Sequence, residues 1–452
     1  MTIKRLTVRN FKSIRELQLE LAPLTILVGP NGSGKSSILE ALALMSQSSR
    51  RNVYPRSREA IIGGEGALVE YDELNSILHR GLSDVELALG ITVDMQVDEI
   101  ESGIKEDFLG AYSTKKQPQP LSAYLNLLRE LKLDLDKRGV IEVEYVYRQS
   151  DSYILHSFTI DNYQITFGYD GKKSKYVSEP EWLVLRSDNV VFPQSFMVEG
   201  RISNFSRRIV EALKRRLSKV YYLSAERGGI LWSYKVGGVK REWVGRRGEY
   251  TMEILAELMK PRYDERRLPY EVLCEMFGVK RVWAGWEQAD YLSSNYVDPY
   301  LGSSHKLPSL GHGSKQLLSI IAQLAYSEPG SVILVEEPEI SLHPSYQRLL
   351  PILFGRAVNE GKQVIVTTHS SILPLSLDII LEGYKLEGQT TRGWRSYEVK
   401  LSPKDIIVYH VTRDDKEGYT RVEKLELDER GLKEGIPSFV DVERDILGRL
   451  IG

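Results

Sequence analysis

The chain has 452 residues, 42% apolar and 27% charged, the make-up of a soluble globular protein with two or three lobes. No apolar stretch approaches the roughly 18 residues that cross a bilayer as a helix, and the single cysteine, Cys274, excludes a disulfide framework and a cysteine metal cluster. The formal net charge of −2 hides an asymmetry, because residues 201–281 carry 19 Lys and Arg against 10 Asp and Glu. Such a basic stretch is an electrostatic footprint for nucleic acid or a set of solvated helix faces. The first residues lack the apolar core of a secretion signal, so a cytoplasmic location without a membrane partner is expected. Cys274 lies in an amphipathic pattern and reads as a small buried hydrophobe.

Taken in order, Ile3, Leu6 and Val8, then Leu17, Leu19 and Leu21, alternate as two strands over 3–9 and 15–21 around Asn10-Phe11-Lys12-Ser13. The hairpin is expected as an antiparallel edge beside the main sheet. Leu24 to Val28 is an apolar run long enough for one buried strand, and Ile38, Leu39, Leu42 and Met45 then recur at helical spacing. Residues 47–82 read as a surface insertion with a helix around Asp72 to Arg80. Alternation at Val85–Val93, Ile141–Tyr147, Tyr153–Ile160 and Gln164–Tyr169 predicts a meander, interrupted by a helix near Leu121 to Leu133. From Ser203 the period is helical, with Ile209, Val210, Leu213 and Leu217 on one face and basic residues on the other. A strand at Val220–Leu223 and helices at 248–259 and 268–277 follow. No heptad pattern is sustained, which argues against a long coiled-coil arm.

After Gly311–Gln316 an apolar helix begins. Ser331–Glu337 is an apolar strand capped by two carboxylates, Ser345–Val358 a helix, and Gln363–Ser370 a buried strand ending in polar residues. Short strands near 395–400, 406–412 and 419–427 and a helix at about Val440–Leu450 close the chain. Buried strands alternating with helices predict a doubly wound core with ligand groups at the strand carboxyl ends.

The chemistry concentrates in three places. Gly29, Gly34, Lys35 and Ser36 fill the Gly-x4-Gly-Lys-Ser spacing of a phosphate-binding loop between a strand and a helix. Glycines let successive N–H groups turn inward around a phosphate, and the helix N-terminus adds positive potential. Lys35 can reach the β- and γ-phosphates, and the Ser36 hydroxyl can ligate Mg²⁺. At the end of the next apolar strand, Glu336 can hold Mg²⁺ or its water shell, and Glu337 can orient and activate the attacking water. One strand later, His369 comes to the same edge and reads as a γ-phosphate contact.

These strings, Asn-Phe-Lys-Ser before Gly-Pro-Asn-Gly-Ser-Gly-Lys-Ser, then Glu-Glu-Pro-Glu-Ile-Ser-Leu-His-Pro and Val-Thr-Thr-His-Ser, resemble the SMC/RecF-type branch of the ABC ATPases. They are more closely similar to AAA-family ATPases related to the OLD proteins. The motifs spread from residue 8 to 370 and are specific over about 60 residues. The resemblance implies that Gly29, Pro30, Asn31, Gly32, Ser33, Gly34, Lys35, Ser36 and Ser37 bind the triphosphate of ATP. It makes Glu336 the Walker B acid, Glu337 the catalytic base, Ser341 to Pro344 the D-loop and His369 the switch histidine. Gly311 to Gln316, with Gly313 and Ser314 at its centre, would be the signature that closes over ATP on a second subunit. An ATP-dependent homodimer with two composite sites follows.

Three departures stand out. Glu336 occupies a position where the family has aspartate, the signature lacks Leu-Ser-Gly-Gly-Gln, and only 83 residues follow His369. OLD nucleases carry a Toprim metal site there. Asp414-Asp415 alone does not make one, so no nuclease activity is expected.

The expected fold is α/β: an ABC-type P-loop NTPase head with a mainly parallel core sheet, helices on both faces, an antiparallel β subdomain and a helical, signature-bearing lobe. Residues 1–46 and 326–452 would form the ATPase core, 47–200 the β subdomain, and 201–325 the basic lobe. The expected function is Mg²⁺-dependent ATP hydrolysis that drives a dimerisation switch, with double-stranded DNA as partner. The DNA expectation rests on the basic stretch and its interleaved Trp232, Trp243, Trp283 and Trp286. The alternatives are a sensor ATPase controlling a separate effector protein, and a nucleotide-binding scaffold with little turnover.

Overall fold

The computed structural model describes residues 2–50, 67–71, 77–79, 86–96, 104–107, 126, 129, 140–149, 153–160, 163–170, 175–179, 183–186, 195–198, 201–202, 204–228, 230, 234–235, 241–288 and 291–440. The helices expected around Asp72–Arg80, Leu121–Leu133 and Val440–Leu450 lie largely outside them, as does most of the insertion at 47–82. The chain divides into two compact units, residues 1–21 with 40–220, and residues 22–39 with 221–452.

In the first unit, β1 (Ile3–Phe11) and β2 (Ile14–Glu20) form a hairpin. Its Asn10 and Lys12 adopt positive φ. Lys12 is fixed by its N–H to the Ile77 carbonyl at 2.7 Å and by an ion pair with Glu40. The chain then leaves for the second unit through β3 (Leu24–Val28) and returns along α1 (Lys35–Arg50), which starts in the second unit and continues in the first. β1 pairs with β4 (Leu87–Gln96), so the hairpin belongs to an antiparallel sheet of its own and is not an edge of the core sheet. That sheet has seven strands in the order β2-β1-β4-β5-β6-β7-β8, completed by β5 (Val140–Gln149), β6 (Tyr153–Ile160), β7 (Tyr163–Asp170) and β8 (Lys175–Glu179). Three shorter strands, β9 (Leu183–Arg186), β10 (Ser195–Val198) and β11 (Arg201–Ile202), make a separate sheet. The helix Asn204–Leu217 buries Ile209, Val210, Leu213 and Leu217, the face its period predicts.

The second unit is built on a six-stranded sheet in the order β12-β17-β18-β3-β21-β22. Its members besides β3 are β12 (Val220–Leu223), β17 (Val332–Glu336), β18 (Gln363–Thr368), β21 (Ile406–Arg413) and β22 (Thr420–Leu425). β17, β18, β3 and β21 run parallel, and only β22 is shown antiparallel to its neighbour. Every residue of β3, β17 and β18 is buried, as strands covered on both faces of a parallel sheet are.

The stretch expected as a helical lobe contains helices Thr251–Leu258 and Asp264–Met276, and also a sheet. The strands β13 (Tyr234–Lys235), β14 (Lys280–Gln288), β15 (Tyr291–Val297) and β16 (Ser304–Lys306) pair antiparallel. The basic stretch is therefore not one lobe: helix Asn204–Leu217 lies in the first unit, and Trp283 and Trp286, both exposed, lie in the second. Trp243 is buried, and Trp232 lies outside the described residues.

The helix expected over Ser345–Val358 is two, Pro344–Gln347 and Leu350–Asn359. Pro351 has no N–H to donate, which costs no helical hydrogen bond in a first turn, and it stands second in the second helix. A hairpin missed in part, β19 (Tyr384–Thr390) with β20 (Gly393–Val399), pairs over seven positions. Cys274 is buried as expected, and burial pushes its thiol up to about 12. No helix among the described residues is long and apolar enough to cross a membrane.

If β17 is central to the core of the second unit, Leu334→Ala should cost about 3 kcal/mol, the usual price of a fully buried leucine. Urea unfolding followed by tryptophan fluorescence measures it, and a loss below about 1 kcal/mol would contradict the burial.

Candidate functional site

Strand register gathers the site. Val28, Thr368 and His410 stand level across β3, β18 and β21, and Glu336 stands level with Thr367. Beyond that line β3 runs into Gly29–Ser37, β17 into Glu337, β18 into His369, and β21 continues to Arg413. Gly29 has no alternative, because a Cβ there would lie 2.0 Å from the Val411 carbonyl oxygen. Gly32 and Gly34 have φ of +73° and +103°, which is how the loop turns on itself before α1 starts.

The edge encloses an open cleft of about 380 Å³, lined by Asn31, Gly32 and Gly34 to Ser37 together with Glu337, His369 and Arg413. Lys35 is buried in it. Its Nζ donates to the Gly29 and Pro30 carbonyls at 2.9 and 2.8 Å and lies 3.3 Å from the Ser33 hydroxyl. Burial lowers its pKa to about 8 against the opposing pull of Glu337, Glu339 and Glu336. Lys35 Nζ is 3.4 Å from His369 Nδ1, and His369 Nε2 is 3.2 Å from Glu337 Oε1. An ammonium only donates, so Nδ1 accepts and Nε2 carries the proton aimed at Glu337. That hydrogen bond holds the Glu337 carboxyl below the usual glutamate range, so it is ionised at neutral pH.

Glu337 is held in an unfavourable backbone conformation, with φ of +42°. A non-glycine residue there costs about 1–3 kcal/mol and persists only where its surroundings enforce it. Its N–H donates to the Thr367 carbonyl at 2.9 Å, and its carbonyl accepts from Arg227 Nη2 at 2.9 Å. Arg227 is fully buried, and its Nη1 donates to the carbonyls of Ser224 and Glu336. Burial lowers its pKa to about 10, so the guanidinium stays charged at neutral pH while its hydrogen bonds among the described residues go to carbonyls. On β18, the His369 N–H donates to Glu339 Oε1 at 2.7 Å, which fixes where the imidazole starts.

Glu336 is buried and does not line the cleft. Its Oε2 accepts the Ala225 N–H at 3.3 Å, and its Oε1 has no hydrogen-bond partner among the described residues. Ser36 is exposed in the cleft. Among the described residues no cluster of three or more His, Cys, Asp or Glu side chains could hold a metal by itself. The Ser36 hydroxyl and the orphaned Glu336 oxygen are hard oxygen donors of the kind that Mg²⁺ takes beside phosphates and water.

Pro30, Ser33 and Ser37 belong to the loop, Ser33 and Ser37 being buried. Gly313 and Ser314 are not among the residues lining the cleft. They sit in the first turn of helix His312–Tyr326, where a Cβ on Gly313 would lie 2.3 Å from the Ser341 carbonyl oxygen. The expected signature and D-loop thus touch each other within one chain, and Ser341 has φ of +59°. Their neighbours His312 and Gln316 line a second cleft of about 400 Å³ with Arg227 and Arg247.

Sequence reasoning missed Arg227, Glu339 and Arg413. Arg227 follows a strand end that was legible, but carbonyl recognition leaves no motif. Glu339 lies two residues beyond Glu337, and Arg413 stands beside the Asp414-Asp415 pair with no motif to mark it.

Residues 1–183 match a family model described as an AAA ATPase domain. Residues 300–376 match an AAA domain model whose description names the AbiEii toxin of type IV TA systems. The chain is 51% identical over 43 residues to an OLD nuclease of Thermus scotoductus, covering 10% of this chain and 8% of that protein. It is 36% identical over 102 residues to the DNA replication and repair protein RecF of Edwardsiella ictaluri, covering 22% of this chain and 26% of RecF. The chain thus spans about a quarter or less of the length of these two relatives. Among solved structures, an SMC head domain from Thermotoga maritima aligns with a TM-score of 0.40 at 12% identity, over 94% of this chain and all of that one. An Smc head domain from Pyrococcus furiosus, bound to the C-terminal domain of ScpA, aligns with a TM-score of 0.43 at 11% identity, over 98% and 99%. The phosphate loop lies inside one matched segment and the paired carboxylates and histidine inside the other, so the sequence similarity is to AAA ATPase domains and to segments of OLD and RecF proteins.

Proposed function

We propose that this chain binds ATP in the cleft at the carboxyl edge of the six-stranded sheet and hydrolyses it to ADP and phosphate. The observation that carries the reading is the contact chain Lys35–His369–Glu337 in a single cleft floored by the phosphate loop. The loop N–H groups and Lys35 bind the phosphates, and Lys35 exchanges its bonds to the Gly29 and Pro30 carbonyls for phosphate oxygens. Water attacks the γ-phosphorus as the bond to the bridging β-oxygen breaks, and its proton passes to Glu337. His369 holds Glu337 in place through Nε2–H, and Arg227 holds the backbone that carries it. Bound Mg²⁺ would neutralise charge on the β- and γ-oxygens, with Ser36 and Glu336 as its protein donors.

We further read hydrolysis as resetting an ATP-dependent homodimer, in which Gly313 and Ser314 close over the partner's nucleotide. DNA-related work is favoured by the similarity to RecF, a DNA replication and repair protein. The second reading, a sensor ATPase controlling an effector protein, is favoured by the family model whose description names a toxin. Hydrolysis stimulated by duplex DNA, with a stimulation that fades as salt rises, supports the first. A rate indifferent to DNA at low salt favours the second.

Lys35→Ala should abolish ATP binding, whereas Glu337→Gln should keep it and slow turnover by at least about 100-fold. A parent as slow as Glu337→Gln would mean a scaffold with little turnover. In the same samples, light scattering of Glu337→Gln should show the 51.5 kDa mass doubling only with ATP and Mg²⁺. ATP affinity should also depend on pH. Bound phosphate raises the Lys35 pKa above its free value of about 8, so the complex holds more protons than the free protein above that pH. Calorimetry should find affinity level up to about pH 7.5 and falling as pH rises past about 8. An affinity that climbs through that range would contradict the assignment of Lys35.

A further inference from the structure

The phosphate loop is braced from outside by a hairpin that its sequence motif does not include. β21 ends at Arg413 and β22 begins at Thr420, and Asp414 ties the turn between them. The Asp414 N–H donates to the Tyr419 carbonyl at 2.8 Å, and its Oδ1 accepts the N–H groups of Lys416 and Glu417 at 2.9 and 2.7 Å. Arg421 pairs with the same carboxylate. From this closed turn two side chains reach the loop: Arg413 Nε donates to the Gly32 carbonyl at 2.6 Å, and the Thr420 hydroxyl donates to the Ser33 carbonyl at 3.0 Å. Carbonyls engaged from outside leave the loop N–H groups to face an anion.

Arg413 does more than brace. It is exposed, and it lines the cleft with Lys35 and Ser36. Its Nη1 donates to the Gly418 carbonyl, and its Nη2 has no partner among the described residues. Two of its nitrogens thus fix the plane of the guanidinium while a third remains to donate. A guanidinium pre-oriented in this way suits a phosphate, which it can meet with charge-assisted hydrogen bonds. The cleft otherwise offers one cationic side chain, Lys35, against the acids Glu336, Glu337 and Glu339 that act on it.

We propose that Arg413 is a second phosphate-binding cation of this site, contacting the phosphate chain of a nucleoside triphosphate while it holds Gly32. The inference rests on the reading of the cleft as an ATP site. No part of the phosphate-loop, acidic or histidine motifs assigns the residue.

The test is the affinity for ATP and for ADP, each with Mg²⁺, of the parent, Arg413→Ala, Arg413→Lys, Thr420→Val and Lys35→Ala chains, at two salt concentrations. Arg413→Ala should bind ATP about tenfold or more weakly, lose less affinity for ADP, and show a shallower salt dependence. Arg413→Lys, which keeps the charge, should recover most of the loss. Thr420→Val, which removes a brace but no charge, should stay within about threefold of the parent. The proposal is overturned if Arg413→Ala binds ATP within twofold of the parent while melting at the same temperature. It is equally overturned if Arg413→Lys and Thr420→Val lose as much as Arg413→Ala for both nucleotides, since the arginine would then serve only as a brace. A parent that binds no ATP sinks the reading of the cleft itself. A parent that binds, beside a Lys35→Ala that does not, keeps that reading and leaves Arg413 to be judged alone.

Discussion

Parallel pairing of β3 with β18 on one side and β21 on the other sets where every reactive group can be. All five residues of β3 are buried, so its register is not free to slide without exposing apolar side chains or burying the loop that follows. Once Val28 is level with Thr368 and His410, the next residues of three segments distant in sequence must emerge side by side. The phosphate loop, the imidazole of His369 and the guanidinium of Arg413 meet because the strands do. Glu337 joins them through the pairing of β17 with β18, one strand further out.

Register places these groups, but it does not aim them. Aiming is done by buried polar contacts that store strain and charge at the edge. Glu337 occupies the left-handed region, and Arg227 keeps a full charge out of water to hold two carbonyls of that bend. Either feature alone would weaken the fold. Together they give the carboxylate one direction, toward His369, whose other nitrogen faces Lys35. A site in which strain and a desolvated cation support one side chain is characteristic of preorganised chemistry.

Much of this was legible in the sequence, for identifiable reasons. Mainly apolar runs at 24–28, 332–335 and 364–366 mark covered parallel strands, and each ends in residues whose chemistry is recognisable without coordinates. What was not legible depends on contacts between distant segments through the backbone. Arg227 and Arg413 both work by donating to carbonyls, which carry no side-chain signature and can be supplied by any residue. The N-terminal hairpin precedes the phosphate loop so closely that adjacency in sequence suggested one sheet. Its actual partner, β4, begins at Leu87, far along the chain. Gly313 reads as a loop glycine but opens a helix pressed against the Ser341 carbonyl, a steric demand visible only in three dimensions.

The most direct measurement is a crystal structure of the Glu337→Gln chain grown with ATP and Mn²⁺, with anomalous scattering used to locate the metal. The account predicts a triphosphate lying in the loop of residues 29–37, with Lys35 Nζ within hydrogen-bond reach of its phosphates and His369 Nε2 still against the side chain of residue 337. The manganese should lie about 2.2 Å from the Ser36 hydroxyl, on the side of Glu336. Nucleotide bound elsewhere, or metal held away from Ser36 by other side chains, would contradict it.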